Sequence, residues 1–162
     1  MAISVKKLNL WRCERPNRAG SLAEVLEPLA GAGCDLHVVM GYRLPEYRDQ
    51  AAIEVFPIKG KKGESAARRA GLHPVELPCL LVTGPNRAGL GHAIATRLAG
   101  AGININFIVT QVMGRQFTSV MGFDSKADAD AATGFVKAAA KPPKRAAKKK
   151  PGAKKKVKAR RR

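Results

Sequence analysis

The chain has 162 residues and a formal net charge of +18, from 30 Lys and Arg against 12 Asp and Glu. Residues 141–162 hold 13 of the basic side chains and no acidic one, so residues 1–140 keep 17 basic against 12 acidic, a charge of +5 that is ordinary for a folded body. No apolar run approaches the ~20 residues that span a bilayer, and Lys6-Lys7-Leu8-Asn9-Leu10-Trp11 lacks the apolar core of a signal peptide, which points to the cytoplasm.

Val5 to Cys13 alternates apolar and polar residues as a half-buried strand does. Residues 14–20 form a turn. Ser21 followed by Glu24 has the form of a capping box. It opens a helix with an apolar stripe of Leu22, Val25, Leu26 and Leu29, which stops at Gly31 or Gly33. Cys34–Tyr42 and Ala51–Ile58 read as strands, Gly63–Gly71 as a short helix and Leu72–Leu77 as another extended stretch. The same order then restarts. Cys79–Thr83 is a strand, 84–89 a turn, and Leu90–Ala99 a helix. Ile103–Met113 and Gln116–Phe123 make a hairpin joined at Gly114-Arg115, and Lys126–Ala140 is an Ala-rich helix capped by Ser125. Lys141-Pro142-Pro143 follows directly, so this second set lacks its last strand.

The restart is visible as a literal repeat. Pro16-Asn17-Arg18-Ala19-Gly20 returns as Pro85-Asn86-Arg87-Ala88-Gly89, and Leu29-Ala30-Gly31-Ala32-Gly33 as Leu98-Ala99-Gly100-Ala101-Gly102, with no gap between the two blocks. Two copies of one small unit are implied, with bounds 1–73 and 74–140, followed by a tail at 141–162. The β-α-β-β-α-β order specifies an α+β, ferredoxin-like plait with both helices on one face of an antiparallel sheet. The bare faces and edges of two such units need cover, so the units are expected to pack as a pair.

The strand, the Asn-Arg-x-Gly turn, the helix ending Ala-Gly and the following Ile103-Asn104-Ile105 resemble the ACT domain, a small regulatory module that binds amino acids. The chain up to about Ala140 is similar to stand-alone tandem ACT proteins. Independently of that resemblance, the unsatisfied N–H groups and positive dipole end of a helix N-terminus favour a carboxylate. Gly20 and Gly89 permit close backbone approach there. The resemblance implies ligand contacts from Asn86, Arg87, Ala88, Gly89, Leu90 and Asn104 near an interface between units. In the first copy it implies Asn17, Arg18, Ala19, Gly20 and Asp35, where Asp35 departs from the pattern and makes the two sites unequal. The competing reading makes Asn17 and Asn86 turn residues that satisfy their own backbone. The function expected is non-enzymatic amino-acid binding with regulation by population shift, in a homodimer, with no cofactor.

The tail contains only Lys, Arg, Ala, Pro, Gly and Val. Such a composition cannot bury apolar surface and is expected to be disordered. It resembles the tails of linker histones and some bacterial nucleoid proteins. Lys148, Lys149, Lys150, Lys154, Lys155, Lys156, Arg160, Arg161 and Arg162 are its candidate contacts to nucleic acid or another polyanion, without sequence readout. An alternative makes this binding, and a nucleoid association, the main function, with the ACT pair as a dimerisation scaffold. A remote alternative is an NAD(P)-binding oxidoreductase fragment, from the likeness of Thr83-Gly84-Pro85-Asn86-Arg87-Ala88-Gly89-Leu90-Gly91 to a dinucleotide loop. That spacing is one residue too long, and no Tyr-x-x-x-Lys pair exists. Cys13, Cys34 and Cys79 lack C-x-x-C spacing and His37, His73 and His92 lack metal spacing, so no metal site is expected.

Overall fold

The computed structural model describes residues 3–140. In chain order the elements are β1 (Ser4–Leu8), β2 (Trp11–Pro16), α1 (Ser21–Gly31), β3 (Val38–Arg43), β4 (Gln50–Phe56), α2 (Gly60–Arg69), β5 (His73–Pro74), β6 (Cys79–Pro85), α3 (Leu90–Gly100), β7 (Phe107–Met113), β8 (Gln116–Gly122) and α4 (Lys126–Ala140). They form two four-stranded antiparallel sheets, ordered β3-β4-β2-β5 and β1-β6-β8-β7. Two ferredoxin-like units therefore share one plan.

The repeated blocks are the boundaries of the first helix of each unit. Gly20 (φ 92°) and Gly89 (φ 75°) precede α1 and α3 in the left-handed region, where a side chain would be strained. The Asn17 amide donates to Asp49 O at 2.7 Å and the Asn86 amide to Arg115 O at 2.8 Å, pinning the two turns in the same way. At the other end, the Cys34 amide reaches Leu29 O (3.0 Å) and the Ile103 amide reaches Leu98 O (2.9 Å). Those six-to-one bonds across a positive-φ glycine are the Schellman stop, so Leu-Ala-Gly-Ala-Gly is a helix terminator used twice. The expected capping box is absent from α1. Ser21 Oγ donates back to Pro16 O at 2.6 Å, and Glu24 is held by Arg18 instead. At α4 the expected cap is present: the Asp128 amide donates to Ser125 Oγ at 3.0 Å.

Each sheet buries one face under its own helices. Trp11, Cys13, Ile53 and Val55 meet Val25 and Leu29 of α1 and Ala66 and Ala67 of α2. In the second unit Leu80, Val82, Phe117 and Met121 meet Ile94 and Leu98 of α3 and Ala132 and Val136 of α4. Leu22, expected in the apolar stripe of α1, is largely exposed. The opposite faces cover each other through Leu8, Leu10, Cys79 and Val120, with Met40, Phe56, Leu77, Leu81 and Phe107 packed around them.

The single strand expected over residues 5–13 is two strands in two different sheets. β1 pairs antiparallel with β6, Ser4 opposite Thr83 through Leu8 opposite Cys79, and occupies the last-strand position of the second unit. The second unit is thus complete: its final strand comes from the start of the chain. β2 pairs with β4 and β5 in the first unit, and the expected Leu72–Leu77 strand shortens to His73–Pro74. No helix among the described residues is long and apolar enough to cross a membrane. The tail and its candidate residues from Lys148 to Arg162 lie outside the described residues.

Candidate functional site

The N-terminus of α3 presents an open positive end. It has no side-chain cap and no acidic residue in its first turn. The turn that feeds it is held from behind: the Arg87 guanidinium donates through Nη2 to Ala139 O at the end of α4 (2.7 Å). Beneath this end, between α3 and the edge strand β7, lies a shallow depression of about 70 Å³. Asn86, Leu90 and Gly91 line it from the turn and helix, and Thr110, Ser119 and Met121 from the sheet. Thr110 Oγ1 and Ser119 Oγ form a hydrogen-bonded pair at 2.7 Å in its floor. Thr110 and Ser119 were not singled out by the sequence. Their alternation with Val109 and Val120 along two strands is the signal that marks them.

The corresponding end of α1 is already occupied by the chain itself. Arg18 Nη2 binds both carboxylate oxygens of Glu24, at 2.8 and 3.0 Å, and Glu24 sits in the first turn of that helix. A ligand carboxylate there would meet an anion near the favoured position. Asn17 Nδ2 donates to Arg48 O at 3.3 Å and so serves its own loop. Ala19 and Gly20 are exposed in the same turn. Asp35 faces His37 Nε2 at 3.3 Å and is otherwise in solvent.

Asn104 is not in the α3 depression. Its Nδ2 donates to Asp124 Oδ2 (3.2 Å) while Asn106 donates to Asp124 Oδ1 (2.9 Å). These two amides, Asn106 first, hold the Asp124 carboxyl below the usual carboxylate range. Topology explains the separation. β6 and β7 both run antiparallel to β8, so they are parallel to each other. Asn86 follows the end of β6 and Asn104 precedes the start of β7, which puts them at opposite ends of the sheet. Seven strand residues at about 3.3 Å each make that roughly 20 Å. Asn17 and Asp35 are separated in the same way around β2 and β3.

The sequence also passed over a polar cluster on the covered sheet faces. Glu54 on β4 is 4% exposed and accepts the Tyr42 hydroxyl at 2.9 Å. Burial, and then the neighbouring Glu54 charge, push the Tyr42 phenol up to about 12. Cys79 across the interface is likewise pushed up to about 12, by burial first and Glu54 second. A lone acid inside Ala-Ala-Ile-Glu-Val-Phe was the available signal. Among the described residues, no group of three or more His, Cys, Asp or Glu is placed to hold a metal. The dinucleotide alternative falls on topology, because the strand that leads into this stretch, β6, lies in a sheet of antiparallel pairs and not in a parallel doubly wound one.

No family model and no curated protein matches the sequence. Among solved structures, a protein from Bacteroides thetaiotaomicron superposes with a TM-score of 0.64 at 16% identity, over 82% of this chain and 88% of that one. The ligand-free regulatory subunit of aspartate kinase from Thermus thermophilus gives 0.59 at 16% identity, over 86% of this chain and 97% of that one. The aspartate kinase of Clostridium acetobutylicum gives 0.59 at 15% identity, with 85% of this chain aligned to 34% of that enzyme. The fold is ACT-like, two ferredoxin-like units in the arrangement shared with these solved structures.

Proposed function

We propose that this chain is a non-enzymatic regulatory protein that binds an amino acid at the N-terminus of α3. The observation that carries the reading is the uncapped, acid-free first turn above the Asn86–Thr110–Ser119 depression. The carboxylate would sit on the first-turn amides, with Leu90 and Ala88 beside it and the Asn86 amide offering both a donor and an acceptor. A depression of about 70 Å³ is a shelf and cannot enclose an amino acid. A homodimer would close it. β7 is a sheet edge whose Ile108, Val109, Val112 and Met113 are exposed, Met113 by 75%. Two copies pairing β7 antiparallel would bring Asn104 of the second copy toward Asn86 of the first. Ligand spanning that joint would favour the dimeric arrangement over others, which is regulation by population shift.

The test is a thermal-shift screen of the full chain against the twenty amino acids. One or a few should raise the melting temperature in a concentration-dependent way, by about 2.7 kcal/mol of added stability at a hundred times Kd. Asn86→Ala and Asn104→Ala should each abolish the shift, and Asn17→Ala should leave it. No shift with any amino acid at millimolar concentration would move the function to the second reading, in which the pair is a scaffold and the tail binds nucleic acid. The 13 cationic residues after position 140 favour that reading's electrostatics, and in the first reading they tether the sensor to nucleic acid.

A further inference from the structure

A cleft of about 790 Å³ opens between the two covered sheet faces, on the side where β3 and β7 are the edge strands. That volume lies within the ordinary range for small-molecule sites. Its walls are apolar, from Leu10, Met40, Leu77, Phe107 and Val109, and its polar groups are Arg12, Tyr42, Glu54 and Asn106. No residue of the α3 depression is shared with it.

Glu54 in the cleft shares its nearest cation with a second carboxylate, Glu14, that lies outside it. Arg12 Nη2 donates to Glu14 at 2.9 Å, while its Nη1 stands 3.9 Å from Glu54 Oε1. One guanidinium therefore serves two carboxylates and leaves the cluster at one net negative charge. The Tyr42 hydroxyl and Arg12 both approach Oε1 of Glu54. Among the described residues, Oε2 accepts no hydrogen bond, although the side chain is 6% exposed. Glu54 lines the cleft and its Oε2 is open to it, so a cation there forms a charge-assisted hydrogen bond without displacing a protein partner.

We propose that this cleft is a second ligand site, which takes a small organic cation with an apolar body. A primary ammonium docks on Glu54 Oε2 with the Asn106 carbonyl as a further acceptor, and the aliphatic or aromatic body lies along Leu10, Leu77 and Phe107. An anion of the same shape is repelled by Glu54. The site is independent of the amino-acid reading at α3.

The experiment is calorimetric titration of the full chain with n-hexylammonium chloride at pH 7, with hexanoate as the control of equal shape and opposite charge. Hexylammonium should bind saturably and hexanoate should not. Glu54→Gln should weaken binding by about tenfold or more, the size of one lost charge-assisted hydrogen bond. Tyr42→Phe keeps the carboxylate and should weaken it less, and Asn86→Ala should have no effect. Tyr42→Phe and the hexanoate control decide the matter if Glu54→Gln does not fold. Absence of saturable binding at millimolar hexylammonium, equal binding of hexanoate, or unchanged affinity in Glu54→Gln would each overturn the proposal. Binding that emerges only after residues 141–162 are removed would also overturn it, by making a tail lysine the resident cation.

Discussion

Gly122→Ala tests the packing of the second unit on the sheet face that meets the first, and its sign is decided by one ring. Gly122 closes β8 opposite Cys79 and Phe107, on the face that the first unit covers. Its φ is not in the left-handed region, so alanine suits the backbone. On backbone entropy alone the substitution would stabilise the protein by about 0.4–1 kcal/mol. The added methyl, however, would stand 2.9 Å from Leu77 Cδ2 and closer still to the edge of the Phe107 ring. Overpacking of this kind costs about 1–3 kcal/mol. The net expectation is a loss of about 1–2 kcal/mol, or a fall in Tm of roughly 3–8 °C for a body of this size. Calorimetric melting of the wild type, Gly122→Ala, Phe107→Leu and the double variant forms a complete cycle. The double variant should recover at least about 0.5 kcal/mol relative to additivity, because the methyl then occupies space the ring has left. A Tm for Gly122→Ala at or above wild type would refute the tight packing of Phe107 and Leu77 over Gly122. So would the same loss in the Phe107→Leu background.

Alkaline pH should weaken the fold through the same interface. Cys79 and Tyr42 titrate near 12 in the folded protein, above the ordinary 9.0 and 10.0, so their contribution is full below pH 9 and is lost as pH rises toward 12. Urea midpoints should hold up to about pH 9 and then decline, less steeply in Cys79→Ala; a flat profile to pH 11 would contradict the burial. Removal of residues 141–162 should leave the melting temperature unchanged and abolish duplex-DNA binding in gel-shift assays. The full chain's affinity should fall steeply with salt, with a log–log slope no steeper than about −12 for 13 cations.

The fold was legible because the repeat has a physical cause. Pro-Asn-Arg-Ala-Gly supplies a left-handed glycine before a helix, and Leu-Ala-Gly-Ala-Gly supplies a Schellman stop after it. Both are local chain chemistry, which is what a sequence displays best. The placement of β1 was not local, yet a trace of it exists. Leu8 and Leu10 point into the interface between sheets, whereas Trp11 and Cys13 point into the first unit's core. Leu10 and Trp11 are adjacent and both buried, a slip of one residue in the alternation. A strand with one buried face cannot contain such a slip. The slip marks where the chain leaves one sheet for the other. Alternation shows that a strand is half-buried and is silent about its partner, so it cannot show that the last strand of the second unit lies at the other end of the sequence.

The site is less legible, because the resemblance names residues near an interface without saying which copy supplies each. Asn86 and Asn104 flank one strand–helix–strand crossover, and such a crossover returns the chain to the level at which its first strand began. The second strand then starts at that level, so a residue after the first strand and one before the second stand a full strand length apart. That geometry follows from the β-α-β order before any coordinate is known. It turns the proposed amino-acid site into a proposal about assembly: within one copy no small ligand touches both asparagines, and an antiparallel neighbour along β7 would join them. A monomer that retained amino-acid binding equally sensitive to Asn86→Ala and Asn104→Ala would therefore refute the proposed dimer site, which predicts loss of both binding and dimerisation on placing a charge at Val112.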